Sequence, residues 1–295
     1  VDYSIVVVTW RSAGELARLV ESMRTHLGEG PELVVVDNAS DDDPEAAARR
    51  WAGGPVEFVR LERNLGFGAA SNEGVRRASR DVVVLLNPDT ELVDSSLDAL
   101  AAEAARRGAI VGPRLLESDG SVQPSAEGPL VGVWPWVGAL VPGAVQPSAL
   151  AARTEPWRLE RSLPVSWLTG ACLAAPRDVL LSLGPFDADI ELYGEDTDLG
   201  LRARAAGVES WFCPDVARVV HHGAASTSRR FGDDERAERK ARNRRAAIRR
   251  AYGDRAERRA RRADTLRFGL RAAAKRALRR DAERDRRDLR AVRRA

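Results

Sequence analysis

Val82-Val83-Val84-Leu85-Leu86-Asn87-Pro88-Asp89 sets a short apolar run against a polar turn. Aliphatic runs of this length, bounded by turn residues, are expected as strands buried on both faces of a parallel sheet. Ligands of such sheets bind outside the carboxyl ends of the strands. Asp89 is therefore expected at a rim where a carboxylate can hold a divalent cation against a diphosphate. Taken alone, Asn-Pro-Asp reads first as a turn, because proline presets φ and Asn and Asp favour turns.

Two other runs end in the same way. Ser4-Ile5-Val6-Val7-Val8 leads into Thr9-Trp10, and Leu33-Val34-Val35-Val36 leads into Asp37-Asn38-Ala39-Ser40. Between them Ser12 and Glu15 have capping-box spacing, and Leu16, Leu19, Val20, Met23 and Leu27 recur with helical period. Asp43 and Pro44 suit the start of a helix running to Trp51. Strand alternating with helix predicts an α/β fold with a doubly wound, mainly parallel sheet flanked by helices. Residues 64–74 read as a loop entering a helix, with Gly66 and Gly68 admitting a ligand close to the backbone. Gly66-Phe67-Gly68 lacks the full dinucleotide fingerprint, which argues against a dehydrogenase.

These stretches, followed by Gly194-Glu195-Asp196-Thr197-Asp198-Leu199, occur in the order found in glycosyltransferase family 2, and the chain resembles its bacterial rhamnosyltransferase-like branch over roughly residues 3–228. The resemblance implies a GT-A fold, a nucleotide-sugar donor, Mg²⁺ or Mn²⁺, and inversion at the anomeric carbon. It implies that Asp37 accepts the imide N3–H of a pyrimidine base, with Thr9 beside it. It also makes Asp89 the direct metal ligand, although Asn87 stands where the family pattern carries a first carboxylate. His221 and His222 lie in the context of the family's late histidine; His221 is favoured, since alternation along a strand sends His222 to the opposite face. Asp196 matches the general base, while Glu195 and Asp198 are left to orient groups or bind acceptor. Asn64, Gly66 and Gly170 are expected along the donor, and Trp167 either stacks on an acceptor sugar or fills the core. The acidic residues at 195–198 are also what any helix start favours. Leu199, Leu201 and Ala205 are expected to pack that helix inward.

Composition is compatible with this. Cys172 and Cys213 cannot build a disulfide framework and have no metal-type spacing, which suits a reducing cytoplasm. The first residues read directly as a strand rather than a signal peptide. Leu130–Val145 is interrupted by Pro135 and Pro142 and is too short for a spanning helix. Residues 117–160 show little periodicity and read as a long loop over the acceptor side.

The net charge of +3 hides an asymmetry: residues 229–295 hold 27 Lys and Arg against 11 Asp and Glu, leaving 20 against 33 for residues 1–228. The expected organisation is a glycosyltransferase domain over 1–228, with a nucleotide-sugar half to about 116 and an acceptor half beyond, and an arginine-rich helical tail over 229–295. A solvated or disordered extension is one reading of the tail. Peripheral contact with an anionic membrane is the next, and nucleic acid the least favoured. Leu266, Leu270, Ala273, Ala277 and Leu278 lie near one helical stripe, and on these readings removal of 235–295 should spare turnover on a water-soluble acceptor. The expected partners are a nucleotide-sugar donor, with deoxythymidine diphosphate rhamnose first and uridine diphosphate sugars next, and a glycan or lipid-linked glycan acceptor. A non-catalytic nucleotide-sugar binder is the alternative suggested by Asn87.

Overall fold

The computed structural model describes residues 1–187, 189–190, 192–223 and 231–295. The expected domain boundary at 228/229, and Ala224 to Thr227 of the histidine context, lie outside the described residues. Strands β1 (Tyr3–Thr9), β2 (Glu32–Asp37), β3 (Val56–Arg60) and β4 (Val82–Leu86) pair in parallel in the order β3-β2-β1-β4. β1 and β2 are in register from Ser4↔Glu32 to Thr9↔Asp37, which brings their polar ends to one edge. The sheet continues through β11 (Cys172–Pro176), antiparallel to its neighbours, then β6 (Ile110–Gly112), β12 (Ser210–Phe212) and β9 (Leu163–Val165). A three-stranded sheet orders β5 (Thr90–Leu92), β13 (Arg218–His221) and β7 (Arg114–Leu116). It carries the histidine strand to the end of β4.

Period-two alternation splits each apolar run between two cores. Ile5, Val7, Leu33, Val35, Val84 and Leu86 face α1 (Ala13–His26) and α4 (Ser96–Arg107); Val6, Val34, Val83 and Leu85 face α3 (Phe67–Arg77) and the helix Glu195–Ala205. The periodic residues of α1 are all buried, but the Ser12 side chain does not cap the helix. Ser12 Oγ turns to Thr9 Oγ1 at 2.9 Å, and Asp42 instead accepts from the Ala13 N–H at 2.8 Å. Asp43 does cap a helix, Pro44–Ala48, which stops short of Trp51.

Helix α3 lies very close to the sheet. A Cβ on Gly74 would come within 2.3 Å of Val6 Cγ1 and 3.3 Å of Val36 Cγ2, both in strands with no room to yield. Gly74→Ala should therefore cost roughly 1–3 kcal/mol, seen as a lowered denaturant midpoint with unchanged slope.

The tail differs from both the solvated and the disordered reading. Its long helical segment, Asp233–Ala277, breaks at Gly253 (φ 81, ψ 171). The two arms fold back on each other: Arg244 reaches Asp264 at 3.4 Å, twenty residues on, a distance a straight helix would not allow. A last helix, Glu283–Arg294, packs Ala291 and Val292 on Ala237 and Ala241. Small alanines and arginine–carboxylate pairs hold this unit, whereas Leu270 and Leu278 of the expected stripe are exposed. The tail also docks on the core through Leu201, Ala247, Ile248 and Ala260, with Leu130 between. Residues 117–160 are likewise built of short elements, including helices Trp134–Leu140 and Ser148–Thr154. Among the described residues no helix is long and apolar enough to cross a membrane.

Candidate active site

A cavity of about 840 Å³ opens where the carboxyl ends of β1 and β4 meet the helix Glu195–Ala205 and the tail. Asn64, Gly66, Asn87, Asp89, Trp167, Gly170, Glu195, Asp196 and His221, drawn from across the chain, all line it. Thr9 and Asp37 do not. Thr9 is fully buried against Ser12, and the fully buried Asp37 carboxylate receives Arg60 Nε at 2.8 Å and the Ser40 N–H at 3.0 Å. Asn38, which the sequence reading passed over, organises the rim. Its amide donates to Asn64 Oδ1 (3.1 Å) and to the Gly66 carbonyl (3.2 Å), and its oxygen accepts the Leu65 N–H at 2.8 Å. Gly66 takes φ 84 at the start of α3, a conformation that favours glycine.

Asp89 and His221 face each other across 3.4 Å, from Oδ1 to Nε2. The Gln123 amide nitrogen donates to Glu117 at 3.0 Å, so its oxygen is turned to His221 Nδ1 at 2.8 Å. In a neutral ring the proton then sits on Nδ1 and the lone pair of Nε2 points at the Asp89 oxygen. Two lone-pair donors meeting in this way fit a cation between them, and Gln123 supplies the outer hydrogen bond that fixes a ligating histidine. Asn87 Oδ1, buried in the same cavity, has no hydrogen-bond partner among the described residues. No cluster of three or more His, Cys, Asp or Glu occurs among the described residues, so any cation would draw its remaining oxygens from ligand and water. His222 is turned away, with Nε2 2.9 Å from Glu91 and Nδ1 2.8 Å from Ser118, and takes no part in this pair.

Gly194 (φ 97), preceded by Tyr193 (φ 65), makes a left-handed turn into the helix of the acidic pair. Asp196 Oδ1 accepts the Thr197 N–H at 2.7 Å and Oδ2 the Gly170 N–H at 3.3 Å. Burial raises the pKa of both Asp196 and Glu195, and the neighbouring Asp196 charge raises that of Glu195 further. The amides and Lys240 favour the Asp196 anion, while Glu195 Oε2 is buried without a partner among the described residues. The shared proton therefore settles on Glu195 and leaves Asp196 ionised.

Asp198, expected beside the acceptor, lies elsewhere. Both its oxygens are occupied, by Arg202 Nε at 2.6 Å and by Arg250 of the tail at 2.8 Å, and its side chain is 3% exposed. Ala205 is exposed, and Ala203 takes the inward position instead. Trp167 lines the cavity and also packs against the cluster joining the tail to the core. The tail contributes Lys240, Arg236, Arg284 and Arg287 to the cavity wall, none of which local sequence pattern marks out.

The sequence model of "Glycosyl transferase family 2" matches residues 4–130. The N-acetylglucosaminyl-diphospho-decaprenol L-rhamnosyltransferase of Mycobacterium tuberculosis is 34% identical over 244 residues, covering 76% of this chain and 77% of that protein. Among solved structures, the mannosyltransferase PcManGT of Pyrobaculum calidifontis, in complex with GDP-Man and Mn²⁺, superposes with a TM-score of 0.60 at 19% identity over 93% of this chain and 75% of its own. Staphylococcus aureus TarS 1-349, in complex with UDP-GlcNAc, superposes at 0.56 with 16% identity over 99% and 79%. Those two likenesses bear on the fold, which is GT-A. With an ordered set of strand-end residues around one cavity and a 34% identical relative matched over most of both chains, the protein belongs to glycosyltransferase family 2 and is a rhamnosyltransferase-like glycosyltransferase.

Proposed function

We propose that the enzyme transfers a sugar, with inversion, from a nucleotide diphosphate donor to a hydroxyl of a lipid-linked glycan used in cell-envelope assembly. The observation that carries this reading is a single cavity lined both by Asp196, held by backbone amides, and by the Asp89–His221 pair. Rhamnose from its deoxythymidine diphosphate is the first donor to try, in view of the Mycobacterium tuberculosis relative. Asp196 removes the proton of the acceptor hydroxyl as its oxygen attacks the anomeric carbon. Asn64 and the backbone at Gly66 and Gly170 line the donor, and Asn87 Oδ1 accepts from a ribose hydroxyl or a bound water. Mg²⁺ or Mn²⁺ held by Asp89 and His221 would neutralise the charge developing on the leaving diphosphate. With an amphiphilic acceptor, the protein works at the inner face of the cell membrane, and the exposed Leu270 and Leu278 suit peripheral contact there. Nucleotide release from a panel of donors, with and without a lipid diphosphate glycan, tests this reading. Release that no acceptor stimulates would favour a binding protein.

Asp89→Ala should abolish the part of donor affinity that depends on Mn²⁺, and Asn87→Ala should reduce it less, because only Asp89 brings a full charge to His221. Calorimetric titration of donor nucleotide with and without Mn²⁺ checks the order. A larger loss in Asn87→Ala would transfer the ligand role to that residue.

A further inference from the structure

Six cations on the tail line the same cavity as Asp196: Arg236, Lys240, Arg244, Arg267, Arg284 and Arg287. Arg244 is taken by Glu127 and Asp264, and Arg267 by Glu155. Arg236 and Arg287 both pair with Asp233. Lys240 and Arg284, by contrast, make no hydrogen bond or ion pair among the described residues, although both are accessible to solvent in the cavity. Lys240 Nζ rests 4.7 Å from the centre of the Tyr193 ring, beside the turn that starts the base-bearing helix. Burial lowers the Lys240 pKa; the Asp196 charge opposes that, and Arg284 and Arg236 add to it by repulsion. Asp288 is the nearest further counter-charge, and its own pKa is raised by burial, which weakens its help. Asp233 is shared by Arg236 and Arg287, and Asp196 and Asp288 act on Lys240 from the same cavity, but Lys240 and Arg284 hold no paired carboxylate among the described residues, and a multivalent anion can bond to both.

What lies beside them indicates which anion. Phe231, Ala237, Ala291 and Val292 line the same cavity and give the cations an apolar flank. A nucleotide sugar has no use for such a flank, whereas a glycan joined through a diphosphate to a lipid does. We propose that Lys240 and Arg284, supported by Arg236 and Arg287, form a subsite for the diphosphate of a lipid-linked acceptor, with the apolar flank receiving the first part of the lipid. This rests on the acceptor class proposed above. It adds the way in which that class is recognised: the acceptor hydroxyl reaches Asp196 while its diphosphate is held on the tail.

The test compares two acceptors bearing the same sugar, one a lipid diphosphate and the other a simple alkyl glycoside. Arg284→Gln removes an unpaired, accessible charge without opening the core, and Lys240→Ala removes its neighbour. Each should raise KM for the diphosphate acceptor by about tenfold or more. In Arg284→Gln, KM for the alkyl glycoside and Kd for donor nucleotide should stay within about twofold, and Lys240→Arg should restore KM for the diphosphate acceptor. An equal rise for both acceptors, or weakened donor binding in place of the KM effect, would overturn the assignment. Should neither acceptor receive sugar, the transferase reading fails and the subsite is judged by binding alone. Titration of inorganic pyrophosphate in EDTA should then show about tenfold weaker binding in the double variant, and equal binding would dispose of the subsite.

Discussion

Asp196→Asn should lower turnover by about 100-fold or more and leave donor affinity unchanged, because the substitution keeps shape but removes the proton acceptor. The Asn oxygen can still accept the shorter Thr197 N–H bond (2.7 Å), so only the longer contact with the Gly170 N–H (3.3 Å) is given up and local structure survives. The pH profile distinguishes a base from a structural residue. Burial raises the Asp196 pKa, so kcat/KM should fall with acidification at a higher pH than for an ordinary aspartate, and this limb should vanish in Asp196→Asn. Glu195→Gln should cost little, since Glu195 carries the proton of the pair. Turnover and calorimetric donor binding on one preparation check all of these. Near-normal turnover in Asp196→Asn would move the base elsewhere.

Truncation after Gly232 should remove turnover almost entirely, by roughly 100-fold or more, even on a water-soluble acceptor. This reverses the expectation drawn from composition, and the reason is geometric. Asn243 Nδ2 donates to the carbonyls of Leu192 (3.1 Å) and Tyr193 (2.7 Å), pinning the left-handed turn that aims Asp196. Arg250 holds Asp198, and Arg244 bridges Glu127 at 3.0 Å. Without these contacts Tyr193 at φ 65 has little to keep it there, since such a conformation persists only where surroundings impose it. Asn243→Ala should show a milder form of the same loss, with kcat falling more than donor affinity. A truncated chain that retains turnover and melts at the full-length temperature would show that the tail is dispensable.

The strand core was legible because β1, β2 and β4 are buried on both faces and carry unbroken aliphatic runs (5–8, 33–36 and 82–86) up to their polar ends. The gathering of Asn87, Asp89, Asp196 and His221 around one cavity followed from ordered motifs. The details that escaped depend on competition between partners. Ser12 had Thr9 as a better partner than the helix end, and Asp198 was claimed by Arg250 from 52 residues away. The tail misled for the same reason. An arginine-rich helix looks solvated when only its own carboxylates are considered, yet Arg267 and Arg271 reach Glu155 of the core, at 3.4 and 2.5 Å. Lys240 and Asn243 carry no local signature at all, because their partners come from a different part of the chain.

The Asn243 clamp also sets a timetable. Its partner Tyr193 precedes it by 50 residues, and the donor-side residues, from Asn38 to His221, all precede Asn243. On the ribosome, chains fold from the amino end as they emerge, at roughly 5–20 residues per second. A nascent chain thus exposes its donor-binding rim seconds before the turn bearing its base is secured, and stays inert through that interval. Ribosome-bound chains halted ahead of Asn243 should accordingly bind donor nucleotide yet transfer nothing.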